Sequence, residues 1–357
     1  NDLGGGTDGM INKENAWRWM LGIEMIPAIL YFLLLFLVPK SPRWLMSKGR
    51  DEEAQTVLNK LYGTQAIAQS IFQSIKNNLT EKVEKVSYSE LLKPSMRFVI
   101  FIGLAVGILQ QITGINAVFF YATSIFKQTG IGTDASFSSG ILLSSVSVIF
   151  TIISMYLIDK TGRRSLILVG TFGIAFSLIL CAYGFQKATY QLTTEKINNL
   201  TFDNSSKLLP IANTVFTNDL DFKNAAKSAL GLSVYQKNDG AILEAATTIN
   251  ATLILIGILG FIACFAFSLG PVMWVLLSEL YPLKYRGLAI VIIAFVNSLV
   301  SSIIQLIFPW ELSNLGNAMS FFLFGIIAFI GFFIMLKIVP ETKGKSLEEI
   351  EKEFVKA

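Results

Sequence analysis

The residues with the clearest capacity for chemistry lie at 110–116, in the run Gln-Gln-Ile-Thr-Gly-Ile-Asn. The residues on either side, from Phe98 to Phe126, are almost entirely apolar. Amide side chains that face lipid without a partner are costly, so Gln110, Gln111 and Asn116 should face another protein group or a wet cavity. Because each amide both donates and accepts hydrogen bonds, the set suits an uncharged ligand rich in hydroxyls. The alternative is that these amides only hydrogen-bond neighbouring helices.

The composition predicts a polytopic membrane protein. Of 357 residues, 53% are hydrophobic and 15% are charged, whereas about a quarter are charged in soluble domains. The absence of His excludes histidine-based catalysis and imidazole metal ligands, and Cys181 and Cys264 lie in apolar stretches without metal-ligand spacing. We therefore expect no enzyme activity, no metal and no cofactor. Membrane lipid is an expected partner, and nucleic acid is not.

Apolar stretches of about 20 residues are long enough to cross a bilayer. The sequence predicts seven of them, at about 17–38, 98–126, 136–158, 165–185, 251–280, 288–311 and 317–338. Lys and Arg are concentrated in the 39–97 loop and in short connections on the same face, which the positive-inside rule makes cytoplasmic. The N-terminus of the chain is then expected outside and the C-terminus inside.

Four segments follow from this topology. Residues 1–38 form an external loop and the first span, and 39–97 form an intracellular helical domain, in which Asp51 to Tyr62 has apolar residues at helical spacing. Residues 98–338 form a six-helix transmembrane part with an external insert at 186–249. Residues 339–357 form a cytoplasmic tail.

Three further polar or aromatic side chains lie within the predicted spans. Glu24 is a carboxylate inside the first span, which is a candidate functional group unless it pairs with Arg18 or reaches the headgroups. Trp274 follows Gly270 and a proline and could stack on a sugar ring or simply pack in the bundle. Asn297 is one more amide, in the middle of the sixth span.

Charged residues cluster at the ends of the third, fourth and fifth spans on the predicted cytoplasmic face. They are Asp159, Arg163, Arg164, Glu279 and Arg286. Arginine can bridge carboxylates through two parallel hydrogen bonds, so this set could hold one access state closed. The alternative is charge that only sets topology.

Six sequence blocks together resemble the sugar porter family of the major facilitator superfamily. They are PKSPRWL at 39–45, QQITGIN at 110–116, DKTGRR at 159–164, GPVMWVLLSELYP at 270–282, RG at 286–287 and PETKGKSLEE at 340–349. The resemblance implies an all-α membrane protein: the C-terminal six-helix half of a twelve-helix fold, plus one preceding helix and a cytoplasmic helical domain. Only helices six to twelve would be present. Helices one to five of the same polypeptide would be a missing partner.

The family's functional residues carry over by position. The resemblance implies that Gln110, Gln111, Asn116 and Asn297 bind sugar hydroxyls, with Trp274 and Gly270 lining the pocket. Phe120 and Tyr121 would form the outer gate, and the charged set named above would form the inner-face salt bridges. Several residues depart from the family pattern: Phe120 replaces a frequent Tyr, Ser147 an Asn, Ser298 a Trp and Lys40 a Glu. Glu24 resembles an acid of the bacterial symporters.

The sequence thus predicts a multi-pass transporter of the plasma membrane that moves a hexose or pentose by alternating access. Glu24 favours sugar:proton symport. The alternatives are a facilitative, uncoupled uniporter and a seven-helix receptor-type sugar sensor.

Overall fold

The computed structural model describes residues 16–79, 91, 93–127 and 133–345. The predicted polar start and the last part of the predicted tail lie outside this range. The chain divides into two compact units, residues 1–85 and 86–357.

The described part of the first unit is helical. It contains α1 (Ala16–Gly22), α2 (Met25–Leu35), α3 (Pro42–Ser47), α4 (Asp51–Tyr62) and α5 (Gln65–Leu79). The helix predicted at Asp51 to Tyr62 is confirmed with both of its ends. Leu45, Met46, Ala54 and Ile75 form a small core between α3, α4 and α5, so the basic loop after the first apolar stretch is a folded helical cluster.

The prediction of one continuous span at 17–38 is wrong, because the chain turns at Ile23 and Glu24 between α1 and α2. Pro27 has no backbone N–H to donate to the carbonyl of Ile23, and that oxygen instead accepts from Ile26 N at 3.1 Å. With 11 residues, α2 is about 16 Å long, which is shorter than the roughly 30 Å hydrocarbon core of a bilayer.

The second unit contains the transmembrane part and the insert. Its described elements are α6 (Pro94–Ile112), α7 (Ile115–Lys127), α8 (Thr133–Thr161), α9 (Arg163–Gln186), β1 (Thr189–Tyr190), α10 (Thr194–Asn198), a 3₁₀ helix (Ser205–Ile211), α11 (Asp219–Leu230), α12 (Leu232–Ala246), β2 (Thr247–Thr248), α13 (Ala251–Phe267), α14 (Leu269–Leu280), α15 (Leu283–Asn314) and α16 (Gly316–Ile338). Six spans are long and apolar enough to cross a membrane: α6 with α7, α8, α9, α13 with α14, α15, and α16. These are the remaining six predicted spans.

Two of the six spans are interrupted near their middle. Between α6 and α7, Gly114 has φ +81°, which is a backbone conformation that residues with a Cβ rarely adopt. Between α13 and α14 the helix breaks at Ser268, three residues before Pro271, whose missing N–H cannot continue the helical hydrogen bonds. Interrupted helices at membrane depth are tolerated where they are buried in protein or line a cavity.

Small residues allow the spans to approach closely. A Cβ added at Gly170 in α9 would collide with the side chain of Ser268, so α9 packs directly against the break in its neighbour. Close backbone contact through small residues is typical of helix packing in membranes. It fixes the position of the break relative to the rest of the unit.

The insert at 186–249 is a folded module. It has its own buried core, to which Tyr190, Phe222, Tyr235 and Ile242 belong, and β1 pairs antiparallel with β2 to close its base. This two-stranded pair is the one departure from the predicted all-α fold within the described residues. We call the side of the unit that carries this module the insert face, and the side that carries Asp159 and Arg163 the opposite face.

Candidate functional site

The structure brings together the four amides that the sequence singled out. Gln110 and Gln111 lie at the end of α6, Asn116 at the start of α7 and Asn297 in the middle of α15. The Nε2 atom of Gln111 donates to Oδ1 of Asn297 at 3.1 Å, and Nδ2 of Asn297 donates to Oε1 of Gln110 at 2.8 Å. Gln110, Gln111 and Asn297 are each at most 8% exposed. The interruption at Gly114 explains this arrangement, because the residues before the break and the residue after it can then face the same part of α15.

Two backbone carbonyls, one on α14 and one on α6, also accept hydrogen bonds from the cluster. Gln110 Nε2 donates to the carbonyl of Leu269 at 2.8 Å, beside the break between α13 and α14, and Asn297 Nδ2 donates to the carbonyl of Gly107 at 2.8 Å. Gln110 and Asn297 therefore do hydrogen-bond neighbouring helices, as the alternative interpretation of the sequence proposed. Their amides tie α6, α14 and α15 together.

Asn116 lies at the open edge of the cluster. It is partly buried, and its Nδ2 donates to Gln111 Oε1 at 2.9 Å and to Ser301 Oγ at 2.8 Å. Gln305 continues the chain of polar groups, because its Nε2 donates to Ser301 Oγ at 3.0 Å. These bonds use both hydrogens of the Asn116 amide and leave its carbonyl oxygen as an acceptor. Asn116 can thus accept hydrogen bonds from hydroxyl groups at once, and it can donate only by exchanging an existing bond. Sequence reasoning missed Ser301 and Gln305, although both lie one and two turns from Asn297 on the same helix face.

Trp274 and Gly270 lie on α14, next to the cluster. Trp274 is 42% exposed, and the described hydrogen bonds and ring contacts do not join it to the amides. Its neighbour Met273 is buried close to Gly107, where an added Cβ would be 3.5 Å from Met273 Cε. A Cβ added at Gly270 would lie 3.2 Å from the carbonyl oxygen of Phe265, so this glycine permits a close turn of the chain.

The two predicted gate residues face in different directions. Tyr121 packs against Phe308 with 5.5 Å between the ring centroids, and Phe308 in turn packs against Phe324 at 5.9 Å. Phe120, by contrast, is 74% exposed. Tyr121 belongs to the packed interior in this structure, and Phe120 to the open surface.

The predicted charged set has Arg163 at its centre. Its guanidinium group contacts Glu279 through Nη2 at 2.8 Å and Nε at 3.1 Å, and Nη2 lies 2.9 Å from Asp159. The other two arginines donate to backbone carbonyls: Arg164 to Leu336 at 2.8 Å and Arg286 to Tyr281 at 3.1 Å. Three of the five predicted residues are therefore directly joined.

Two members of this network were not assigned from the sequence. Glu341 accepts from the backbone N–H groups of Arg163 and Arg164 at 3.0 and 3.2 Å, so it caps the N-terminus of α9, where the helix dipole favours negative charge. Thr342 donates to Glu279 Oε2 at 2.6 Å. Both residues lie in the PETKGKSLEE block at 340–349, which was the sequence feature that could have pointed to them.

Glu24 and Lys40 belong to the first unit. Glu24 is exposed at the turn between α1 and α2. The ammonium group of Lys40 lies 5.3 Å from the centroid of the Trp44 ring, which is a cation–π distance. Lys40 therefore has a local contact that the acid usual at this position of the block could not make.

Comparison with known proteins identifies the family. A family described as "Sugar (and other) transporter" matches residues 4–207 and 229–354. The chain is 31% identical to the arabinose-proton symporter of Bacillus subtilis, over 96% of this chain and 61% of the relative. It is also 31% identical to the D-xylose-proton symporter of Escherichia coli K12, over 95% and 57%. The chain thus spans about three fifths of the length of these relatives.

Solved structures give the same result for the fold. The proton:xylose symporter XylE bound to 6-bromo-6-deoxy-D-glucose, which is described as a major facilitator superfamily protein, matches with a TM-score of 0.65 and 29% identity, over 95% of this chain and 59% of that one. An inward-open xylose transporter structure from E. coli matches with a TM-score of 0.55 and 28% identity. The family consists of transporters rather than enzymes. The chain is a multi-pass membrane protein with helical spans that belongs to the sugar transporter family of the major facilitator superfamily.

Proposed function

We propose that this chain provides one half of a pathway that carries a monosaccharide across the membrane by alternating access. The observation that carries the proposal is the set of four buried amides at the meeting point of α6, α7 and α15, with Asn116 at its open edge. Uncharged donors and acceptors at membrane depth fit a solute whose hydroxyl groups must exchange water for protein partners. Binding near the midplane and rocking of two halves are the general features of such transporters.

The amides would have distinct roles. Asn116 and Gln111 would contact the sugar, because Asn116 is the partly exposed member and Gln111 is its direct partner. Gln110 and Asn297 would mainly hold the site in shape, since their described bonds reach backbone carbonyls of other helices. Trp274 would cover an apolar face of the ring, while Gly270 would leave room beside it. Phe120 and Tyr121 would close the site on the insert face.

We further propose how the chain corresponds to the twelve-helix fold. The six spans of the second unit would be the C-terminal half, α1 and α2 would be the sixth helix, and α3 to α5 would belong to the intracellular helical domain. The lengths of the relatives, of which the chain covers about three fifths, agree with this. The basic residues of the 39–97 loop would place it in the cytoplasm, with the insert at 186–249 and the N-terminus outside and the 339–357 tail inside.

Proton coupling is the preferred mode, and two relatives support it by name as proton symporters. Glu24 is the proposed coupling residue, because an acid in the first apolar stretch is the titratable group that an uncoupled carrier would not need. A facilitative uniporter is the alternative for the same site, and a receptor-type sugar sensor is a more distant one. The Arg163 network would keep the opposite face closed in one access state.

Uptake of labelled sugar by the complete transporter in proteoliposomes tests the proposal. With xylose, arabinose and glucose, and with or without an imposed proton gradient, we expect saturable uptake of at least one sugar and stimulation by the gradient. Replacing Gln111 by Ala should abolish saturable uptake, whereas Ser302→Ala, a change at an exposed site on α15, should not affect it. Undiminished uptake by the Gln111 variant would remove this residue from the site. Sugar binding without any uptake by the wild type would favour the sensor.

A further inference from the structure

A cavity of about 580 Å³ lies at the insert face between two spans and the insert. This volume is in the range of about 300–1,000 Å³ that is typical of small-molecule sites. Its back wall contains Phe185, which stacks on Phe321 with 5.4 Å between the ring centroids. The cavity is separate from the amide cluster and is not used in the proposed transport mechanism.

The walls that the two spans contribute are mainly apolar and partly exposed. Tyr183 on α9 and Met319 and Phe322 on α16 contribute to them, and each of these side chains is more than 40% exposed. Along α9, exposed large side chains recur at helical spacing, at Val169, Phe172, Phe176, Ile179 and Tyr183. This stripe covers about 21 Å along the helix, which is a large part of the roughly 30 Å hydrocarbon core of a bilayer, and it ends in the cavity.

The upper part of the cavity is polar. Gln186, Thr217, Asn218 and Asp219 line it, and the last three come from the start of α11 in the insert. The Oδ2 atom of Asp219 accepts from Lys223 Nζ at 2.8 Å and from the backbone N of Asn317 at 3.3 Å. These bonds connect the insert to the first turn of α16, so the polar edge of the insert lies next to the apolar walls.

A cation lies beside Tyr183, one of the residues that line the cavity. The ammonium group of Lys187 is 5.8 Å from the centroid of the Tyr183 ring, which holds it next to the apolar wall. A site with exposed apolar walls, a hydrogen-bonding edge and a cation beside one wall matches the three parts of a glycerophospholipid. These are the acyl chain, the polar headgroup and the phosphate.

We propose that this cavity binds one glycerophospholipid from the leaflet on the insert face. An acyl chain lies between α9 and α16 against Phe185 and Phe322, and the phosphate pairs with Lys187. The polar edge of the insert contacts the headgroup. The bound lipid joins the insert to the two spans that it touches.

Native mass spectrometry of the protein, purified in mild detergent and supplied with palmitoyl-oleoyl phosphatidylglycerol, tests this proposal. We expect one lipid to be retained per chain. Ala318→Trp fills the cavity and should abolish retention, whereas Val169→Trp, on the exposed stripe away from the cavity, should preserve it. Lys187→Gln should weaken binding about fivefold, whereas Lys196→Gln, at an exposed site elsewhere in the insert, should leave it unchanged.

Two results would overturn the proposal: equal retention by the wild type and the Ala318 variant, or no retained lipid in either. The lysine substitution guards against a trivial loss of fold in the tryptophan variant, because Lys187 is exposed and its replacement leaves the buried packing unchanged. If the Lys187 variant bound the lipid with wild-type affinity, the proposed contact between Lys187 and the phosphate would be wrong. None of these readouts depends on sugar transport, so the two proposals fail independently.

Discussion

The contact between Arg163 and Glu279 allows a quantitative test of the opposite-face network. Their side chains are only 12% and 20% exposed, and three nitrogen–oxygen contacts of 2.8 to 3.2 Å join them. Exposed ion pairs typically contribute about 0.2–1 kcal/mol, whereas hydrogen bonds to charged groups away from solvent contribute about 1.5–3 kcal/mol. Because both side chains are largely buried and three contacts join them, this pair should contribute as hydrogen bonds to charged groups away from solvent do. We expect a coupling energy of about 2 kcal/mol.

A double-mutant cycle measures this coupling. Arg163→Ala, Glu279→Ala and the double variant would be compared by equilibrium unfolding in detergent, with Asp159→Ala as a control, because the Asp159 side chain is 77% exposed and its loss should have little effect. If the network holds one access state closed as proposed, the same 2 kcal/mol would shift the balance between access states about thirtyfold. Alkylation of a cysteine introduced on the opposite face would report this shift. A coupling energy below about 0.5 kcal/mol would place the pair in the exposed class and refute the argument.

Three further changes have distinct expected results. Gly114→Ala should lower the free energy of unfolding by about 1–2 kcal/mol, because Gly114 has a positive φ. Gly140→Ala should not lower it, because there is open space around Gly140. Thermal melting of the two variants compares them. Asp219→Ala should cost about 3 kcal/mol through loss of its buried ion pair with Lys223 and expose the insert to limited proteolysis, while the exposed Asp221→Ala should not. Glu341→Ala should remove the cap of α9 and cost about 1 kcal/mol, measured by unfolding; an unchanged midpoint would contradict the capping role.

The transmembrane spans were predictable because their signal is local. A run of about 20 apolar residues indicates a span whatever surrounds it, and six such runs are helices in the structure. The exception at 17–38 also has a local cause, since Pro27 removes one backbone donor. This break was not predicted, because a proline inside an apolar run is equally compatible with a continuous helix that is only kinked at that point.

The four central amides of the cluster were predictable, whereas its connections and its two further members were not. Gln110, Gln111 and Asn116 share a short sequence, but Asn297 is 186 residues from Gln111, and only packing decides which face of α15 meets α6. That packing also decides which amides hydrogen-bond neighbouring helices and are therefore not available to a ligand. Ser301 and Gln305 belong to the cluster for the same reason: their hydroxyl and amide become informative only when α15 is oriented.

The cap on α9 has a consequence for biosynthesis. Glu341 follows Arg163 by 178 residues, and at about 5–20 residues per second a ribosome needs roughly 10–35 s to add them. During that interval the first turn of α9 must find its hydrogen-bond acceptors elsewhere, from water or lipid headgroups. A nascent chain released before this glutamate emerges would carry an unfinished helix end at the membrane surface, where quality-control proteases could recognise it.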